Sequence, residues 1–167
     1  MTDSLRSILL GTAGLTGAAI VALLVTLARG GVEADDARLR GAVRLAAIAA
    51  VLQGVHFAEE FATAFHRRFP ELLGLAPWSD AFFLIFNLVW LAVWAVSIHG
   101  LARRRYVALF PLWFLAIAGI GNGLAHPLLS LRTGGYFPGL ATSPLVGVAG
   151  LLLLRALLVI TDDCRGP

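Results

Sequence analysis

The stretch His56-Phe57-Ala58-Glu59-Glu60 sets a histidine ahead of two adjacent carboxylates, inside a run that is otherwise apolar. On a helix, at about 100° per residue, Glu59 falls about 60° to one side of His56 and Glu60 about 40° to the other. All three therefore share a face. A second pair, Asn122 and His126, is spaced i, i+4 and shares a face as well. Two imidazoles and two carboxylates are a suitable donor set for Zn²⁺ or non-haem Fe²⁺. Adjacent carboxylates in a dry setting also cannot easily both ionise, which would suit metal-free general acid–base work.

The elements that must position these groups are membrane spans. The chain has 167 residues, 59% of them hydrophobic and 14% charged, against about 25% charged in soluble domains. Apolar runs predict helices near 8–28, 43–65, 81–102, 106–131 and 143–161, each close to the roughly 20 residues that a spanning helix needs. The fold class read from this is all-α, a polytopic membrane bundle of about five helices. The first run is longer than the 7–15 apolar residues of a signal peptide and reads as a true helix. Three segments follow: an N-terminal helix and loop (1–41), the main membrane domain (42–161) and a solvated tail (162–167). The 13 basic residues are all arginine and sit mostly between the apolar runs. They read as a topology signal rather than a nucleic-acid surface. By the positive-inside rule, the N-terminus is outside and the C-terminus in the cytoplasm. The one cysteine, Cys164, excludes an intrachain disulfide and a cysteine metal cluster.

Depth ties the polar residues together. With this topology, Glu60, Asn87 and His126 each lie five or six residues inside the outer end of a different helix. At about 1.5 Å per residue they form one layer about 8–9 Å below the outer boundary. Ionisable groups in a span are costly and therefore mark function. His99 falls at the opposite end. On the outer side, Gly134-Gly135-Tyr136-Phe137-Pro138-Gly139-Leu140-Ala141-Thr142 carries turn residues. It is either a plain turn or a lid over the polar layer, with Tyr136 and Thr142 supplying hydroxyls.

Three motifs in order, HFAEE at 56–60, NGLAH at 122–126 and YFPGLAT at 136–142, resemble those of the HXXEE domain family, which is marked by HxxEE, NxxxH and YxPGxxT. The resemblance covers roughly 45–160 and leaves the first helix outside. It implies a small multi-spanning protein of bacterial type, in a cytoplasmic membrane. Its motif positions here are His56, Glu59, Glu60, Asn122, His126, Tyr136, Pro138, Gly139 and Thr142. It implies no particular reaction and names no substrate.

The leading expectation is an intramembrane Zn or Fe site held by His56, Glu60 and His126. Glu59 would serve as general base or supporting carboxylate, Asn122 and Tyr136 as substrate or ligand partners, and Pro138, Gly139 and Thr142 as the lid. The reaction would be hydrolysis or rearrangement of a lipid or isoprenoid-like molecule. Other readings remain open: metal-free Glu/His isomerisation or cyclisation, a proton-coupled carrier, a non-catalytic polar network or binding subunit, and haem between His56 and His126.

Overall fold

A computed structural model describes residues 3–161. The tail at 162–167, with Cys164, lies outside the described residues. Every regular element among the described residues is helical: α1 (Asp3–Gly11), α2 (Ala13–Arg29), α3 (Asp36–Ala62), α4 (Phe65–Leu72), α5 (Asp80–Ala102), α6 (Leu109–Thr133) and α7 (Ser143–Ile160), with a short 3₁₀ turn at Tyr106–Ala108. Four helices are long and apolar enough to cross a membrane, and a fifth span results if α1 and α2 are taken together. The all-helical membrane-type bundle expected from the hydropathy is what the chain forms.

Capping explains several boundaries. Asp35 accepts a hydrogen bond from Arg38 N at 2.9 Å, so α3 starts at Asp36 and not near residue 43. The Ser79 hydroxyl accepts from Phe82 N at 3.2 Å and starts α5. Each cap fills one of the amide donors that a helix N-terminus leaves open. At its other end α3 stops at Ala62, three residues earlier than the apolar run suggested, because Ala64 turns left-handed (φ 62°). That turn costs a non-glycine residue about 1–2 kcal/mol. It sends the chain into α4, an amphipathic helix where a plain loop was expected.

The first span also differs from expectation. It bends by 48° between α1 and α2, at Thr12, whose hydroxyl bonds back to Ile8 O at 2.7 Å. No proline marks the bend. Ser7 of α1 donates to Ala76 O at 2.5 Å and accepts from Trp78 Nε1 at 3.1 Å, which ties α1 to the segment before α5.

Helices α6 and α7 form the most intimate pair. A Cβ added at Gly123 would lie 2.6 Å from the Cα of Gly147. Only glycine lets the two backbones approach this closely, as small residues do between membrane helices. The core runs along α6, where Leu109, Leu112, Trp113 and Leu115 are almost fully buried. Around it, α2 packs on α6, α3 on α7 and α5, and α5 on α6, whereas α2 and α5 do not pack along one another.

Candidate metal centre

The helical face read from HFAEE places His56 and Glu60 inward on α3, with relative exposures of 0% and 5%. The parallel run of α6 brings His126, 2% exposed, against them. Glu60 Oε1 lies 3.4 Å from His126 Nε2 and 3.6 Å from His56 Nε2. The two imidazole rings meet edge to face, with centroids 4.7 Å apart and planes at 86°.

Hydrogen bonds fix which ring nitrogens carry protons. The Nδ1 of His126 lies 2.6 Å from Pro138 O. A carbonyl only accepts, so Nδ1 is the N–H and Nε2 keeps its lone pair. The Nδ1 of His56 lies 2.7 Å from the Thr142 hydroxyl, and that hydroxyl donates its single proton to Glu59 Oε2. Its oxygen therefore accepts from Nδ1–H of His56, and in the neutral rings Nε2 of His56, like that of His126, carries a lone pair. Two lone pairs and a carboxylate oxygen then face one another. The buried Nε2 of His56 has no hydrogen-bond partner, an arrangement that is costly unless something electropositive fills it.

A metal ion suits this set of donors. One ligand atom from each of His56, Glu60 and His126 lies within 4.8 Å of the others. Two donors at about 2.0–2.1 Å from a tetrahedral zinc ion would stand roughly 3.3–3.5 Å apart, close to the 3.4 and 3.6 Å measured here. These three residues form a buried group that can hold a metal ion.

The 134–142 loop supplies the next layer. Glu59 accepts from Tyr136 OH at 2.5 Å, from Ala141 N and Thr142 N at 2.9 Å each, and from the Thr142 hydroxyl. Burial, then the bond and the charge of Glu59, hold the Tyr136 phenol above its ordinary pKa near 10, so it donates at neutral pH. Gly139 (φ 87°) is pressed against both rings. A Cβ there would lie 2.5 Å from His126 Nδ1 and 2.9 Å from His56 Cε1. Pro138, Gly139 and Thr142 thus touch the back of the two histidines.

Beside this group is an apolar cavity of about 540 Å³. Glu60, His126, Asn87 and Asn122 line it, so the residues read as one polar layer share one space. Glu59 and Tyr136 do not line it; they belong to the loop side. Gln53, on the same face of α3, also lines the cavity and escaped the sequence reading, although its i, i+7 spacing from Glu60 was a usable signal. His66 escaped it as well. It is buried, bonded through Nε2 to Asp80 Oδ1 at 2.9 Å, and packs against the rings of Phe61 and Phe83. Placed in an expected loop, it gave no periodic signal.

A family model described as "Protein of unknown function with HXXEE motif" matches residues 47–153. No curated protein and no solved structure matches the chain.

Proposed function

Since the chain belongs to the family of proteins of unknown function with an HXXEE motif, its activity has to be read from its own site, and we propose that it is an integral membrane enzyme built on a metal centre. The single observation that supports this most is the pair of imidazole Nε2 atoms that face Glu60 Oε1, with each Nδ1 engaged by an acceptor so that the neutral ring presents its Nε2 lone pair. One proton on Glu60 would satisfy one lone pair and leave the other bare. A divalent cation satisfies all three groups at once, which favours the metal over metal-free acid–base chemistry.

Three protein ligands beside a cavity are the pattern of a catalytic site with a position open to water or substrate. Zn²⁺ suits it, and so does the two-histidine, one-carboxylate set of non-haem Fe²⁺. When bound, such an ion supplies Lewis-acid polarisation or a water acidic enough to attack at neutral pH. The protein groups do the rest. His56 and His126 are held in the ligating tautomer by Thr142 and Pro138. Glu59 clamps the loop that carries those partners and is a positioning residue in this reading, not the base. Asn122, on the cavity wall four residues before His126, orients the substrate. The apolar cavity excludes bulk water and favours a lipid-like substrate, for hydrolysis or rearrangement, in a bacterial cytoplasmic membrane.

Cobalt(II) tests the reading directly. Added to metal-stripped protein, it is expected to give the visible absorption of a low-coordinate Co²⁺ site at about one equivalent per chain. That absorption should vanish in His56→Ala and in His126→Ala. An unchanged spectrum in either variant, or no site at all, would contradict the centre.

A further inference from the structure

Seven of the ten phenylalanines and three of the four tryptophans of this chain line one cavity. Trp90 and Phe114 pack at a tilt with centroids 4.4 Å apart, and Phe57 stacks on Trp94 at 6.1 Å. So concentrated a set of rings offers faces and edges to a polarisable, unsaturated body. At about 540 Å³ the space is within the roughly 300–1,000 Å³ of small-molecule sites.

The polar residues on the wall are as informative. Besides Glu60 and His126 they are the neutral side chains of Thr12, Gln53, Asn87 and Asn122. Gln53 Oε1 and Asn87 Nδ2 are buried without hydrogen-bond partners. Among the described residues no arginine lines the cavity, and the chain has no lysine. Phosphate and diphosphate groups are bound by such cations, by helix N-termini or by a metal ion; apart from the proposed metal, the wall offers a diphosphate no cationic arginine or lysine. An uncharged hydroxyl, which both donates and accepts, matches carboxamides.

Access is sideways. Helix α2 packs on α6, and α5 packs on α3 and α6, but α2 and α5 are not packed together. Gly14 and Val21 of α2 and Phe82 and Phe86 of α5 all line the cavity, so it reaches the seam between these two lipid-facing helices.

We propose that the cavity binds an uncharged, unsaturated isoprenoid-type alcohol, which slides in from the lipid between α2 and α5 and lays its hydroxyl end against Asn87, Asn122 and the His126–Glu60 edge. The proposal rests on the metal-centre reading only for what happens to that hydroxyl end; the binding itself stands apart. Gly14 and Gly121 gauge the space. A Cβ added at either meets nothing within 4 Å, and both glycines line the cavity, so these are the positions where a larger side chain meets the least resistance.

The probe is all-trans-retinol, an unsaturated alcohol that accepts energy from tryptophan, titrated into the full chain in lipid nanodiscs. Saturable energy transfer from the cavity tryptophans is expected, displaced by geranylgeraniol at least about tenfold better than by geranylgeranyl diphosphate. Gly14→Phe and Gly121→Phe are each expected to weaken retinol binding by about tenfold or more, the scale on which filling an apolar pocket discriminates. No saturable transfer, equal displacement by the diphosphate, or wild-type binding in both glycine variants would overturn the proposal. Metal content is read on the same samples. Protein that holds metal but not retinol overturns the proposal and spares the metal centre. Protein that binds retinol without metal supports the proposal and overturns the centre.

Discussion

At the scale of single residues, the His56–Glu60–His126 group depends on partners that lie outside it. Thr142 both takes the Nδ1 proton of His56 in a hydrogen bond and gives its own to Glu59. Thr142→Val keeps the shape and removes both bonds. It is expected to weaken metal binding by about 10–100-fold, the usual effect of losing an outer partner of a ligand, as read by competition with a chelating dye. Gly139→Ala is expected to do at least as much, because its methyl would press into both rings. Retained affinity in both variants would show that the loop does not hold the ligands. That His56 and Glu60 lie together was legible in the sequence, since helical spacing puts them on one face. The division of labour between the two glutamates was not. It depends on a contact between Glu59 and Thr142 across 83 residues, and no local pattern encodes such a pairing.

At the scale of elements, the close seam between α6 and α7 sets where His126 stands. Gly123 sits one turn before His126 and abuts Gly147. Gly123→Leu drives a side chain into backbone and is expected to cost about 1–3 kcal/mol, a fall of about 2–10 °C in the thermal midpoint of a protein this size. Metal added in excess should recover part of that fall, since a ligand that binds only the folded state stabilises it. A midpoint equal to wild type would show that the seam has room to spare. The long spans were readable because about 20 apolar residues without charge have few other interpretations. Helix α4 was not, since a short stretch with Arg67, Arg68 and Pro70 reads as a loop until Phe65 and Phe69 are seen facing the cavity. Nor was the bend at Thr12, which rests on a threonine bonding to its own helix and has no proline to announce it.

At the scale of the whole molecule, the question is which way the bundle stands in the membrane. Arginine is richer in the 29–44 segment and at 103–105 than in the 66–80 loop. By the positive-inside rule the C-terminus is expected in the cytoplasm and the His56–Glu60–His126 group nearer the outer leaflet. A reporter fused after Pro167 is expected to show cytoplasmic activity; a periplasmic signal would invert this arrangement. The depth argument on Glu60, Asn87 and His126 rested on counting residues from helix ends, and it correctly grouped three side chains that share one cavity. The extent of that cavity was not legible, because its walls depend on which aromatic faces meet across helices far apart in the chain.

The central claim is that His56, Glu60 and His126 hold a metal. It is tested most directly by elemental analysis of the protein purified in detergent without chelator. The account predicts about one zinc or iron per chain, lost in both His56→Ala and His126→Ala. Protein that carries no metal as purified and takes up none on titration would contradict it.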